Sequence, residues 1–116
     1  MATCSSKKEV EFFLLKVKSI LNKPKKIQFI PRRKNLDALN KHGLSIKDIK
    51  FYIKRLEVKD YFKGPTKDRD RSGYVWEFGK MINNTMFYIK IKIKKEKLLC
   101  CLSFHDAQYK VQFPYN

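Results

Sequence analysis

The sequence predicts an α+β domain in which N-terminal helices pack on one face of an antiparallel β-sheet of three to four strands. Two patterns predict it: apolar residues recur at spacings of three and four in the first half of the chain, and they alternate with polar residues in the second half. Nine Phe, six Tyr and one Trp are enough aromatic residues for a core. We therefore expect residues 1–116 to form one domain, mainly helical over 1–56 and β-sheet over 74–115.

The first helix is predicted over residues 7–22. Ser6 and Glu9 have the spacing of a capping box, in which each side chain accepts a hydrogen bond from the other residue's backbone N–H. Pro24 follows the helix and ends it. The predicted inner stripe is Val10, Phe13, Leu14, Val17, Ile20 and Leu21. A basic connector follows, made of Lys23, Lys25 and Lys26.

A short extended segment is predicted at Ile27–Ile30, before a second helix. Pro31 opens this helix of about ten residues, because proline is favoured in the first turn. Leu36 and Leu39 are expected to face inward. Gly43 is placed to stop the helix, since glycine readily adopts the left-handed conformation that ends many helices.

The third helix is predicted over 46–56, with Ser45 as its N-cap. The later segment 64–73 has no apolar residue beyond its proline, which predicts a mobile loop. The predicted inner stripe of the third helix is Ile46, Ile49, Ile53 and Leu56.

The sheet is predicted from segments in which apolar and polar residues alternate. Asn83-Asn84 suits a two-residue hairpin turn, because asparagine tolerates positive φ. The predicted strands are Tyr74–Ile82, Met86–Lys94, Leu98–His105 and a short last strand, Tyr109–Phe113.

The predicted register decides which side chains share a face. The first turn places Glu77 opposite Lys90, and a second turn centred on Lys95-Glu96 places Tyr88 opposite Ser103. The same turns pair Phe78 with Ile89, Trp76 with Ile91, Ile89 with Leu102 and Phe87 with Phe104. One face is apolar and needs the helices as cover: Trp76, Phe78, Phe87, Ile89, Ile91, Ile93, Leu98, Cys100, Leu102 and Phe104. The other face carries Glu77, Tyr88, Lys90, Lys92, Lys94, Cys101, Ser103 and His105.

The net charge is +16, from 27 Lys+Arg against 11 Asp+Glu. Such a charge favours a polyanionic partner: nucleic acid, an anionic membrane surface or an acidic protein. The aromatic content favours nucleic acid, although a lysine-rich source proteome would also account for some of the lysines. No apolar run reaches the about 18 residues of a membrane span, and the N-terminus lacks a secretory signal, so we expect a cytoplasmic protein without a membrane partner.

The three cysteines are an odd count and a poor disulfide framework. Cys100 and Cys101 would point to opposite faces of a strand, which makes them poor joint metal ligands. With Cys4 far away in sequence and two scattered histidines, the chain offers no zinc pattern. We expect reduced thiols, no metal and no cofactor.

Glu77 and His105 are the candidate acid–base pair. Glu77 is the only acid on a face with three lysines, so it is either half of a cross-strand ion pair with Lys90 or a general base tuned by neighbouring cations. His105 stands at a strand end, where it is either an ordinary polar residue or a general acid.

Tyr88 and Lys63 are further candidates. Tyr88 is a surface aromatic, a base-stacking platform or a hydrogen-bond donor to phosphate. Lys63 follows two aromatics and precedes the rigid Gly64-Pro65. Such groups are sufficient for metal-free RNA cleavage: a base deprotonates the 2′-hydroxyl, an acid protonates the leaving 5′-oxygen, and cations stabilise the phosphate. The candidate phosphate-binding lysines are Lys80, Lys90 and Lys92.

Four short motifs, taken together, resemble the MqsR-like toxins of type II toxin–antitoxin systems. They are D-Y-F-K-G-P, V-W-E-F-G-K, Y-I-K-I-K-I and L-S-F-H, in this order and spacing, within about residues 45–115. The resemblance implies a compact α+β fold related to RelE and YoeB. It also implies an mRNA endoribonuclease that needs no metal and is silenced by an antitoxin.

The resemblance assigns the active site to Lys63, Glu77, Tyr88 and His105. The best-known member has glutamine where this chain has Glu77, and lysine where it has His105. Glutamate can act as a base, and histidine is a better general acid near neutral pH, which implies more conventional acid–base catalysis here. The implied partners are single-stranded RNA or mRNA and a cognate antitoxin encoded nearby.

Two other functions are compatible with the same residues. One is a non-catalytic RNA- or DNA-binding module that uses Tyr88 and the rows of lysines. The other is a protein that acts only by holding an acidic partner. Glu77 together with His105 distinguishes them from an enzyme, because catalysis needs both groups and simple binding does not.

Overall fold

A computed structural model describes residues 4–24 and 26–116, so Lys25 of the predicted connector lies outside the described residues. The helices are α1 (Lys7–Leu21), α2 (Arg33–His42) and α3 (Ile46–Lys54), and a short 3₁₀ turn covers Val58–Asp60. The strands are β1 (Ile27–Phe29), β2 (Tyr61–Lys67), β3 (Tyr74–Ile82), β4 (Thr85–Lys94) and β5 (Leu98–Asp106).

The sheet has five strands in the order β1-β5-β4-β3-β2. β1 runs parallel to β5, and every other neighbouring pair is antiparallel. The predicted α+β class is confirmed, but the prediction of three to four antiparallel strands is wrong. The count misses the two edge strands: the predicted extended segment at Ile27–Ile30 is present as β1 but joins the sheet, and β2 begins before the segment predicted as sheet.

β2 overlaps the predicted loop, since residues 64–67 are strand and only 68–73 are loop. The strand is irregular: its register with β3 shifts on both sides of Lys63. Gly64 has a φ of 122°, and a Cβ at this position would lie 2.8 Å from the carbonyl oxygen of Val75. Pro65 is tolerated because β2 is an edge strand. The glycine and the proline that this irregular strand needs are typical of loops, so the sequence of the segment resembles a loop although it pairs with β3.

The core lies between the helices and one face of the sheet. The capping box of Ser6 and Glu9 is present, and all six residues of the predicted inner stripe of α1 are buried. Leu36 and Ile46 are exposed, so their predicted inward orientation is wrong. Asn35 replaces Leu36 on the inner side of α2, where Ala38 is also buried and Leu39 packs on the core. Ile49, Ile53 and Leu56 are buried as predicted, and Gly43 ends α2 at a φ of 64°.

The β3–β4 register is the predicted one, with Glu77 opposite Lys90. The β4–β5 register differs, because Lys94 pairs with Leu98 across a three-residue turn and Leu102 is then skipped as a bulge. Each change shifts the pairing by one residue. Tyr88 therefore pairs with His105, and Lys90 pairs with Ser103. The predicted pairs of Tyr88 with Ser103, Ile89 with Leu102 and Phe87 with Phe104 are wrong.

The turn and the bulge also exchange side chains between the faces of β5. Leu99 and Cys101 are in the main core, whereas Cys100 and Leu102 pack with Val75 on the opposite face. The predicted faces of Leu98, Cys100, Cys101 and Leu102 are therefore wrong. The two shifts cancel after the bulge, so Phe104 returns to the core and His105 keeps its predicted face.

Asn35 of α2 supplies the hydrogen bonds that the bulge needs. Its Nδ2 donates to the carbonyl oxygens of Ile30 (2.8 Å) and Leu102 (3.0 Å), and its Oδ1 accepts from the backbone N–H of Phe104 (3.0 Å). The side chain is buried, so these bonds replace water that cannot reach the bulge.

The predicted last strand at Tyr109–Phe113 is wrong, because no strand forms in the described residues 107–116. β1 pairs with the β5 edge at Leu99–Cys101, and Asn35 takes the hydrogen-bonding groups of Leu102 and Phe104, so little of this edge is open to another strand. The segment, called the strap below (residues 107–116), instead lies across the sheet face opposite the helices. Val111 and Phe113 pack there over Gly79, where a Cβ would lie 2.9 Å from the Phe113 ring.

Candidate active site

A cleft of about 910 Å³ opens on the site face, the sheet face opposite the helices. Strands β2, β3 and β4, the loop 68–73 and the strap all contribute to its lining. The lining has five basic and three acidic side chains: Arg32, Lys63, Lys67, Arg69 and Lys90, with Asp68, Asp70 and Glu77. The cleft is therefore suited to an anionic ligand.

Glu77 lies at the centre of a three-strand row on this face. It pairs with Lys63 of β2 on one side and with Lys90 of β4 on the other. The carboxylate is 6% exposed; its Oε1 accepts a short hydrogen bond from the Tyr88 hydroxyl and lies 4.0 Å from the Lys63 Nζ. A nearly buried carboxylate thus lies against one hydroxyl and one cation at the edge of an open, basic space.

Tyr88 is held as a hydrogen-bond donor. Burial, and then the hydrogen bond to the neighbouring Glu77 carboxylate, raise the pKa of its hydroxyl. The Tyr109 hydroxyl contributes in the same direction. A phenol whose pKa is raised keeps its proton at neutral pH, so Tyr88 presents an O–H and not an anion.

His105 lies beside Tyr88 and not beside Glu77. Its ring centroid is 5.6 Å from that of Tyr88, and its Nδ1 is 2.9 Å from the carbonyl oxygen of Asp106. It lines a separate, smaller hollow near Lys41. The structure brings Lys63, Glu77 and Tyr88 together and leaves His105 on the far side of Tyr88.

The three candidate phosphate-binding lysines have different surroundings. Lys90 lines the cleft, on the sheet face predicted for it. Lys92 is only 4% exposed, because its Nζ binds Asp68 Oδ2 at 2.5 Å and the carbonyl oxygen of Ser72 at 3.2 Å. Lys80 follows Gly79, which is on the site face, so its side chain lies on the helix side of the sheet. Its Nζ is 3.5 Å from Asp60 Oδ2. The structure places only Lys90 where a phosphate in the cleft can reach it.

Asp68 fixes the loop 68–73 at the rim of the cleft. Its carboxylate accepts from the backbone N–H groups of Asp70 (3.0 Å) and Arg71 (3.4 Å), as well as from Lys92. The Lys92 ammonium holds the pKa of the Asp68 carboxyl below its ordinary value. The loop in turn places Arg69 in the cleft lining.

Arg32, Arg69 and Tyr109 line the cleft and were not among the sequence candidates. Arg69 lies in a loop whose alternating charges gave no reason to choose one residue. Arg32 and Tyr109 reach the cleft only through the positions of α2 and of the strap, which local sequence patterns did not predict.

The three cysteines are not part of the cleft lining. Cys4 is exposed, and Cys100 and Cys101 are buried as free thiols, with burial raising the pKa of both. Among residues 4–24 and 26–116, no group of three or more His, Cys, Asp or Glu side chains is placed to hold a metal ion. None of the helices described is long and apolar enough to cross a membrane.

The cleft and its strands fall within the span of a known family. The family model described as motility quorum-sensing regulator, toxin of MqsA, matches residues 10–106. The chain belongs to the MqsR toxin family. Membership confirms the resemblance predicted from the four motifs and implies a toxin of a toxin–antitoxin system with an antitoxin as its partner. A comparison with curated proteins gave no match.

The MqsR family match has a boundary that is relevant to the site. It includes every residue that lines the cleft except Tyr109, and it ends at Asp106. The strap, with Tyr109, lies beyond the match. The cleft of this MqsR-family chain therefore has one lining residue, Tyr109, that the family model does not cover.

Proposed function

We propose that this MqsR-family toxin is an endoribonuclease that cleaves mRNA in the cytoplasm without a metal ion. The observation that carries the proposal is the Glu77 carboxylate, which is nearly buried against Tyr88 and Lys63 at the edge of a basic cleft. Burying a charged carboxylate costs free energy unless it is paired or hydrogen-bonded. Buried ionisable groups in clefts are common at functional sites, which supports a catalytic role for Glu77.

Glu77 is proposed as the general base. It accepts the proton of the ribose 2′-hydroxyl, whose oxygen attacks the adjacent phosphorus. The bond from phosphorus to the 5′-oxygen breaks, and the product ends are a 2′,3′-cyclic phosphate and a 5′-hydroxyl. Lys63 and Lys90 flank Glu77 in the strand row and would stabilise the additional negative charge on the phosphate oxygens.

His105 is proposed as the general acid that protonates the leaving 5′-oxygen. Glu77 on β3 and His105 on β5 are separated by β4, and two strand spacings amount to about 10 Å. A base and an acid that act on opposite sides of one phosphorus need such a separation, since each must reach a different oxygen. Tyr88 lies between them, and its single hydroxyl proton, which is donated to Glu77 in this structure, would turn to the phosphate when RNA binds.

The alternative of an ordinary ion pair between Glu77 and Lys90 is less well supported. The cation nearest the Glu77 carboxylate is Lys63, at 4.0 Å, and the hydrogen bond to the carboxylate comes from Tyr88. Lys90 lines the cleft and faces its open volume.

The proposal is tested by incubating the purified protein with single-stranded RNA in EDTA and analysing the product ends. We expect cleavage, with 2′,3′-cyclic phosphate and 5′-hydroxyl ends. Cleavage only after Mg²⁺ is added, or 3′-hydroxyl ends, would contradict the mechanism. Tight RNA binding without cleavage would favour the non-catalytic binding module instead.

The toxin assignment has a separate test in cells. Induced expression of the chain is expected to arrest growth and deplete mRNA. Co-expression with a gene encoded next to it is expected to restore growth and to yield a complex that copurifies. Normal growth with abundant folded protein would contradict the toxin function.

A further inference from the structure

The strap is attached firmly at the end nearest β5. The backbone N–H of Ala107 donates to the carbonyl oxygen of Met86 (2.8 Å). The Lys34 Nζ of α2 then donates to the Gln108 Oε1 (3.1 Å). These contacts come directly before Tyr109, so its backbone has a fixed starting position.

The strap is also attached beyond Tyr109. Val111 is buried, and it packs with Phe113 over Gly79 on the site face. Further on, the Tyr115 hydroxyl donates to the carbonyl oxygen of Ser5, and its ring stacks on Tyr61 at 5.8 Å. Tyr109 is thus held between two sets of contacts.

Tyr109 itself is 54% exposed between these two sets of contacts. It lines the cleft, with its ring centroid 6.1 Å from that of Tyr88 and 6.2 Å from that of Phe62. Sites for single-stranded nucleic acid combine cations that contact the phosphates with aromatic rings on which bases stack. A basic cleft with an exposed aromatic ring at its entrance has both.

We propose that Tyr109 is a stacking platform for an unpaired base of the RNA that enters the cleft. The inference rests on the proposed function, since it concerns how the cleft binds a nucleotide next to the scissile phosphate. Tyr109 makes the base contact, while Lys63 and Lys90 contact phosphate. The strap holds the ring in place before RNA arrives, which lowers the entropy cost of binding.

The test measures affinity for a single-stranded RNA with 2′-O-methyl groups, which lacks the nucleophile and stays intact. Tyr109→Ala is expected to weaken binding about 5- to 150-fold, the range of one base–aromatic stack. Tyr109→Phe keeps the ring and is expected to bind within about 3-fold of wild type. The matched control is Tyr74→Ala, which removes an equally exposed tyrosine at a separate hollow on the helix side and is expected to leave affinity unchanged.

A second measurement separates stacking from a structural effect. Abasic nucleotides are placed one at a time along the same RNA, and binding of wild type and of Tyr109→Ala is compared. If Tyr109 stacks on a base, there is one position at which the abasic nucleotide lowers the affinity of wild type but causes no further loss of affinity in Tyr109→Ala. A uniform loss at every position, or equal affinity of Tyr109→Ala and wild type, would overturn the platform.

The outcomes also distinguish the platform from the proposed function. RNA that wild type binds through Tyr109 but does not cleave would overturn the nuclease and support the platform. RNA that wild type cleaves and Tyr109→Ala cleaves and binds equally well would overturn the platform alone. Absence of RNA binding by wild type would overturn both.

Discussion

The β3–β4 and β4–β5 hairpins share a strand, yet different forces set their registers. The first is regular from Ile82 opposite Thr85 to Trp76 opposite Ile91, and its two turn residues, Asn83 and Asn84, have φ of 51° and 62°. The second has a three-residue turn and a bulge that is held by a side chain of α2.

The difference divides the candidate site into two halves. Glu77 and Tyr88 are positioned by a hairpin whose turn and alternation agree locally. His105 is positioned by a strand that needs Asn35, a residue from another element, to keep its bulge. The half that carries the proposed base is therefore locally encoded, and the half that carries the proposed acid depends on tertiary packing.

The largest expected effect tests whether both halves serve one reaction. Glu77→Gln and His105→Ala are each expected to lower the cleavage rate about 10²–10⁴-fold, the usual contribution of one acid–base partner. Affinity for 2′-O-methyl RNA should change little. Glu96→Gln, in the exposed β4–β5 turn, is the control and should cleave at the wild-type rate. If only Glu77→Gln is slow, the β5 half is not part of the chemistry.

The next effect concerns the support of β5. Asn35→Ala is expected to lower the free energy of unfolding by about 2–4 kcal/mol, because buried backbone groups at the bulge lose their partners. Chemical denaturation measures this change, with the exposed Asn40→Ala on the same helix as control.

Hydrogen exchange then tests whether the two hairpins are independent. In Asn35→Ala we expect the amides of β5 to lose protection while those of β3 and the first half of β4 keep theirs. Equal loss of protection in both hairpins would show that they unfold as one unit and that the two halves of the site are not independent.

Lys92→Met is expected to release the loop 68–73 from the rim of the cleft. The loss of stability should be less than the about 3–5 kcal/mol of a fully buried ion pair, because the loop can carry the Asp68 carboxylate into water. Protease cleavage within the loop reports the release, and Lys94→Met, with a more exposed lysine on the same strand, is the control. A loop that resists protease equally in both variants would contradict the anchoring role.

Acid should release the same loop. The folded-state pKa of Asp68 is lowered, so its contribution to stability is complete above the unfolded value of about 4 and is lost as pH falls through the folded value. Asp68→Asn should remove this pH dependence, as followed by loop proteolysis between neutral and acidic pH. A dependence that survives in Asp68→Asn would have to arise elsewhere.

The smallest effect concerns a single phosphate contact. Lys90→Ala is expected to weaken RNA binding for all sequences and to reduce the salt slope by about one unit. Lys80→Ala removes the same charge from the helix side and should leave the slope unchanged. An equal change of slope in both variants would mean that the field of the whole protein, and not a contact in the cleft, attracts the RNA.

The sequence predicts the parts of the fold that local rules determine. Ser6 and Glu9, the stripe of α1, and the asparagine turn each carry a local pattern, and the structure confirms them. Glu77, Tyr88 and Lys90 could be placed on one face because the β3–β4 register follows from that turn and the alternation.

The three-residue β4–β5 turn is a local error, whereas the errors at the bulge, at Lys92 and at Tyr109 occur where a distant group decides. The bulge at Leu102 depends on Asn35, which is 67 residues away in sequence, and no sequence pattern within β5 predicts the bulge. Lys92 could not be distinguished from Lys90 by alternation, since only the position of Asp68 decides which lysine is buried. Tyr109 has an alternating neighbourhood, but β1 and Asn35, both distant in sequence, occupy much of the β5 edge that a further strand would need.

The bond between Tyr115 and Ser5 joins residues 110 positions apart. Synthesis on the ribosome proceeds from the N-terminus, so this bond can close only after nearly all of the described chain has been made. The helices and the β3–β4 hairpin can form earlier, from contacts that are closer in sequence. The strap side of the cleft is therefore completed last. A nascent chain lacks the complete site while it is still attached to the ribosome and its mRNA, and mRNA is the proposed substrate of the finished protein.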